Sequence, residues 1–404
     1  MIGLIENNIQ KRKIYLAIYF LVFTFFLLVK GYKTEITVDE AFSFLNYSYT
    51  KDYLNIGIAN NHILNSILVG IISPLGISEL ILRIPNLIFG IIYLILILFF
   101  SSKKDNYIIC SLILILNPYL FDYFAISRGY GIGSALIFLS CYIYLFSKRN
   151  NVIAPLVVLS IATFSYHVIV VFLFSFWLVN IINLKNNYKI THFIFINSTV
   201  LSVSLINLYL LLNVTAEGKP LYGVNNLSIF DILTGSFGLN SLYINNELPF
   251  NIFLNLLFLS PLIFFRLLSN KEKNVVAFSY LTLFLIYLIP YILNKPFPLL
   301  RAVVCFLPPI LLLVCQVIEK LIKKTENINI VGLITVSMFF FLFSFINSIK
   351  INKTIDWQDG MKRSEILQRD DDCGFVIPFN ELDSVGQYYR LIDELNYEKK
   401  SSIC

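Results

Sequence analysis

The sequence predicts an all-α, polytopic membrane protein, and three observations carry that prediction. Of its 404 residues, 57% are hydrophobic and only 14% charged, with a mean hydropathy of +0.75. That leaves too little charge to clothe a soluble chain of this size. The apolar residues gather into segments near the length of about 20 residues that crosses a bilayer as a helix. Finally, the Lys and Arg clusters fall in alternate loops, the pattern of loops held on the cytoplasmic side.

Spans are expected near 14–30, 84–100, 107–121, 131–147, 152–166, 168–184, 192–212, 251–268, 275–293, 302–318 and 328–349. The first, "IYLAIYFLVFTFFLLV", follows "KRK" as a signal peptide would. It is bulky and no small-x-small cleavage site follows, so it reads as a retained anchor. The segment 62–80, "HILNSILVGIISPLGISEL", is interrupted by Pro74 and Gly76 and reads as interfacial. With the N-terminus cytoplasmic, "KRK", "SSKKDN", "SKRNN", "LKNNYK", "RLLSNKEK" and "EKLIKKTEN" then share one side. Counting 62–80 as a span would turn the later clusters outward. The net charge of +6 is thereby read as basic cytoplasmic loops. The six cysteines lack metal-ligand spacing, and no basic stripe interleaved with aromatics supports nucleic-acid binding.

Two regions follow. Residues 1–349 form the transmembrane domain, with a first external loop at 31–83; residues 350–404 form a small external C-terminal region. That tail contains a strand-like "CGFVIPF" followed by "SVGQYYRLIDEL", a pattern for a small α/β appendage. The expected setting is a bacterial inner (plasma) membrane, with the N-terminus cytoplasmic and the C-terminus external.

This layout brings a small set of polar residues to the external ends of spans. Asp39 and Glu40, in "TVDEAFS", can act as general base, metal ligand or solvated loop charges. Arg128, in "FDYFAISRGYG" with Tyr130, can fork onto a phosphate or snorkel to headgroups. Asp122 either pairs with Arg128 or supplies a second active-site carboxylate. His62 and His167 are two of the three histidines; each can serve a phosphate or a metal, though such residues more often only satisfy an interface. Arg301, in "PFPLLRAVVCFLPP", either holds an anionic headgroup or anchors its helix.

The order of these motifs resembles the integral-membrane glycosyltransferases of the C-type fold (GT-C). It is most similar to the branch of the protein O-mannosyltransferases and the lipid A aminoarabinose transferase. An Asp-Glu pair after the first span matches Asp39 and Glu40, and "NNHILNSIL" resembles the interfacial segment that follows. "LILRIPNLIFG", with Arg83 and Pro85, resembles the entry to the second span. "FDYFAISRGYG" resembles the second external loop and "LRAVVCFLPPI" the late "RYllPllP"-like element. Residues 14–170 carry most of the likeness. The double proline after the His or Lys of relatives is absent, and Ala302 stands where relatives have Tyr.

The resemblance implies a GT-C-like catalytic domain over 1–349 that uses a polyprenyl-phosphate-linked sugar as donor. The acceptor would be a lipid, glycan or protein on the external, periplasmic side. Asp39 would deprotonate the acceptor hydroxyl, and Glu40 would shape the site or position a cation. Arg128 and Arg301 would grip the lipid phosphate with His62 and His167 as helpers. No cofactor is implied with certainty; a divalent cation is compatible, and the metal is left unassigned. The alternatives are a transporter or flippase, or a ligase or polymerase, acting on polyprenyl-linked glycans. Alternating access usually uses broken or polar helices at mid-membrane, which these spans lack.

Overall fold

The structure, a computed structural model, describes residues 2–34, 36–54, 61–115, 118–147, 152–187, 189–216, 223–224, 258–293, 297–298, 303–325, 387–389 and 391–392. These residues are almost entirely helical. Six helices among them are long and apolar enough to cross a membrane, which suits a multi-pass membrane protein.

Helix α1 (Ile2–Lys33) supplies the first apolar rod. A short loop leads to α2 (Val38–Ser43), which runs into a π-helical turn over Phe44–Tyr49. Helix α3 (Ile63–Ile72) ends in a 3-10 turn at Ser73–Leu75. At about 1.5 Å per residue its ten residues span only about 15 Å, about half the hydrocarbon thickness of a bilayer. Gly76 closes that turn with φ 140°, a backbone angle open to glycine and strained for other residues.

Helix α4 (Glu79–Ser101) starts five residues earlier than the apolar pattern predicts, because the Ser78 hydroxyl accepts from the Ile81 N–H and caps it. Arg83 is thereby drawn inside the helix. The expected span 107–121 is instead two helices, α5 (Tyr107–Ile115) and α6 (Pro118–Ala125). Pro118 is the first residue of α6, where its missing N–H leaves no helical bond unmade. Asp122 consequently lies on a helix and not in a loop.

Helix α7 (Gly129–Phe146) is buried on nearly every side from Gly129 to Phe138, as expected of an apolar helix at the centre of a bundle. Helices α8 (Ile153–Ala162), α9 (Ile169–Asn187) and α10 (Ile190–Ala216) follow. Helix α8 covers only about 15 Å, shorter than the span expected over 152–166. After a helical stretch at 258–263 come α11 (Asn270–Leu293) and α12 (Leu307–Thr325). Gly223–Val224 pairs antiparallel with Phe297–Pro298 as a two-residue bridge. The span expected at 328–349, most of 213–250, and the strand-like part of the tail lie outside the described residues.

Helices α4, α7 and α12 make up the interior, and α1 and α10 the outer layer, with most of their length uncovered. Their exposed faces include Ile18, Leu21, Phe25, Leu201 and Leu205, which are apolar groups suited to contact with lipid. Charge collects at the two ends of the bundle. At one end Arg12 donates to the Ser102 carbonyl. Beside it Lys104 meets Glu319 at 2.7 Å and Gln316 at 2.6 Å, and Lys320 pairs with Glu272. At the other end lie Lys30, Arg83, Asp39, Glu40 and Arg128. Arg12 and Lys30 are eighteen residues apart on one helix, about 27 Å, close to the thickness of a bilayer's hydrocarbon core.

Candidate active site

Helix α2 is built to present two neighbouring carboxylates. Thr37 caps it: its hydroxyl accepts from the Glu40 N–H at 3.2 Å, while the Glu40 carboxylate accepts from the Thr37 N–H at 2.9 Å. This capping box fixes the helix start. It also directs the Glu40 side chain back toward the preceding loop and leaves Asp39, one residue earlier, pointing elsewhere.

Glu40 is the anchor of the region. Arg83 donates to it from Nε at 2.8 Å and from Nη2 at 2.7 Å, a bidentate fork. The Ser127 N–H adds a third donor at 2.5 Å. Burial alone would push the Glu40 carboxyl upward in pKa. The Arg83 charge and hydrogen bonds, joined by the Ser127 and Thr37 N–H groups, outweigh burial and hold it below the usual carboxylate range. Arg83 also donates to the carbonyls of Gly31, at 3.0 Å, and Thr34. One buried ion pair therefore ties together the end of α1, helix α2, helix α4 and the turn before α7.

Asp39 makes the second ion pair, to Arg128 Nη2 at 2.9 Å. The Arg128 side chain is fully covered, whereas that of Asp39 keeps 9% of its surface exposed. The guanidinium carbon also sits 5.6 Å from the centre of the Tyr130 ring, a cation–π placement. Tyr130 in turn packs against His62, Tyr123 and Tyr166 with ring centres 4.8, 4.8 and 4.9 Å away. The acidic pair thus serves two different arginines, a division invisible in the linear sequence.

Asp122 has a partner that the sequence did not suggest. It pairs with Lys30 of α1, because its position on α6 turns it toward that helix.

The two histidines clip loops together. His62 Nδ1 lies 2.9 Å from the Ser165 carbonyl. A carbonyl only accepts, so that nitrogen carries the proton, and in the neutral ring Nε2 is left as an acceptor. A neutral His62 therefore offers no second N–H to a phosphate, as the sequence reading had allowed; only the doubly protonated ring would. His167 Nδ1 lies 3.0 Å from Asn207 Oδ1. Burial lowers its pKa from the usual value, partly offset by Asn207 and by the Asn61 backbone. Leu64 N–H donates to the Phe164 carbonyl at 2.8 Å between the same two loops. Histidines 62 and 167 thus strap the 61–64 segment to the 164–167 turn from opposite sides.

Gly129 makes this strap fit. A Cβ at that position would stand 1.9 Å from the Ser165 carbonyl oxygen and 2.8 Å from His62 Nδ1. Any side chain would drive apart the loops that flank Arg128. Further in, Asn65 Nδ2 donates to Ser127 O and Oγ, both at 3.2 Å, and Asn86 Nδ2 donates to Asn65 Oδ1 at 2.7 Å. These amides steady the turn that carries Arg128.

Arg301 and Ala302 lie outside the described residues. Among the described residues no group of three or more His, Cys, Asp or Glu side chains could hold a metal ion. Arg83 is the residue whose weight the sequence reading missed as part of the site. The apolar pattern left it just outside the span at 84–100; the Ser78 cap draws it into α4, where a permanent cation demands a buried partner. No protein family, curated protein or solved structure matches this chain.

Proposed function

We propose that this chain is a membrane glycosyltransferase that moves a sugar from a polyprenyl-phosphate donor to an acceptor at the external face of a bacterial plasma membrane. The observation that carries the reading is the division of the acidic pair. Glu40 is locked to Arg83 by two hydrogen bonds, whereas Asp39, paired with a fully covered Arg128, keeps 9% of its side-chain surface exposed.

The chemistry needs a base on one side of the sugar and a cation on the other. Asp39 takes the proton of the acceptor hydroxyl, whose oxygen forms a bond to the anomeric carbon. The bond from that carbon to the phosphate oxygen breaks, and its electron pair leaves on the polyprenyl phosphate. Arg128, charged at any physiological pH, stabilises that departing anion. Glu40 and Arg83 hold the frame in which Asp39 and Arg128 act, and the prenyl chain needs only the apolar sides of the spans.

The test is sugar transfer by the purified protein in detergent, using a set of polyprenyl-phosphate sugars. Asp39→Asn should lose at least a hundredfold in rate, within the range for removing a general base, while the protein still folds. Wild-type protein that transfers no sugar but moves polyprenyl-linked glycans across vesicle membranes would replace this reading with that of a flippase.

A further inference from the structure

Resting on that reading, we propose that the Asp39–Arg128 ion pair is a latch opened by the donor's phosphate, so that the base becomes competent only when a lipid phosphate occupies Arg128. The two residues are assigned opposite tasks, yet they are paired with each other at 2.9 Å. A carboxylate oxygen held 2.9 Å from a guanidinium nitrogen is stabilised as the anion by that charge and is a poorer receiver of a hydroxyl proton. A guanidinium engaged with a carboxylate offers a phosphate less than its full fork. Both tasks are therefore favoured when the pair opens.

Four features let it open without disturbing the frame. Helix α2 is held by its neighbour Glu40, which accepts from Arg83 twice, from Ser127 and from Thr37. Release of Asp39 therefore leaves the helix in place. Arg128 is covered completely and Asp39 is not, so an incoming anion meets the pair from the carboxylate's side. The Tyr130 ring beneath Arg128 stays in contact while the anion is exchanged. A phosphate arriving as the carboxylate leaves also keeps the buried guanidinium paired, avoiding the large cost of an isolated buried cation. The consequence is a form of substrate control. Asp39 is freed where a donor phosphate has taken its place on Arg128.

The latch makes a prediction opposite in sign to ordinary loss of a site residue. Equilibrium binding of undecaprenyl phosphate, which lacks a sugar, is measured in detergent micelles for wild type, Asp39→Asn and Arg128→Gln. Asp39→Asn should bind at least tenfold more tightly than wild type while failing to transfer sugar. Arg128→Gln, alone or combined with Asp39→Asn, should abolish that gain. Asp39→Ser repeats the measurement if the Asn variant fails to fold. Binding to these variants equal to or weaker than wild type overturns the latch. So does failure of both variants to fold, which would make the pair a structural fixture. A matching tenfold gain for inorganic phosphate would overturn the assignment to a lipid phosphate. The two readings fail separately. Asp39-dependent transfer with unchanged binding removes the latch alone, and a tenfold gain with no transfer by wild type removes the glycosyltransferase alone.

Discussion

Changing Glu40 to Gln tests whether the Glu40–Arg83 pair supports the whole site. The substitution preserves shape, but its single amide oxygen can accept from only one of the Thr37 and Ser127 N–H groups, which Glu40 meets with different oxygens. It removes the negative charge beside Arg83, whose side chain is completely buried. Arg83 would keep the Gly31 and Thr34 carbonyls, which carry no net charge. Breaking a buried pair at one partner costs about 3–5 kcal/mol. At about 2 °C per kcal/mol for a large domain, the apparent melting midpoint in detergent should fall by roughly 6–10 °C. Adding Arg83→Met removes the stranded cation, and the double variant should recover at least half of that loss, because replacing both partners is far cheaper than removing one. A Glu40→Gln shift below about 2 °C, equivalent to about 1 kcal/mol, would refute the reasoning, as would costs that simply add in the double variant. The acid limb provides a second readout. The folded-state pKa of Glu40 is lowered, so its contribution is complete above the ordinary carboxylate value and fades as pH falls through the folded value. Glu40→Gln should remove that part of the acid dependence.

Two further outcomes follow from the surrounding contacts. Gly129→Ala places a methyl 1.9 Å from the Ser165 carbonyl oxygen and should cost at least about 2 kcal/mol by overpacking; an unchanged melting midpoint would show that the loops around Arg128 give way. Burial lowers the His167 pKa, so the unfolded chain takes up a proton there first as pH falls below about 6.5. The folded state should therefore lose stability between that pH and the lower folded value, and His167→Gln should flatten that stretch of the melting-point-versus-pH curve. A variant curve as steep as wild type would assign the effect elsewhere.

Much of the outer organisation was legible in the sequence. Apolar length marks the long helices, since a rod that must cross about 30 Å of hydrocarbon needs a run of matching length. The interruption at Pro74 and Gly76 identified the short α3. What the apolar pattern misjudged were helix ends and short interior helices. Ser78 lengthened α4 through a cap, and Pro118 split one apolar run in two, whereas hydropathy reads both regions as unbroken grease. The tail was recognised as separate, yet Tyr388 and Tyr389 are buried against Ile36, Phe44 and Leu82 beside α2. Their packing partners lie more than 300 residues earlier in the chain, a contact that local pattern does not encode.

The sequence by itself determined that a charged pair, Asp39–Glu40, and a lone Arg128 stand at the ends of apolar spans, because charges are costly anywhere deeper. It placed Arg83 at the end of the first external loop, just before the second span, and so gave no sign of the counter-charge that Arg83 finds. Only the tertiary structure decided who pairs with whom. Adjacent side chains on a helix point about 100° apart, so Asp39 and Glu40 diverge toward arginines delivered by different helices. That divergence separates a locked carboxylate from one set to exchange its partner, and the packing of α4 and α7 around α2 creates it.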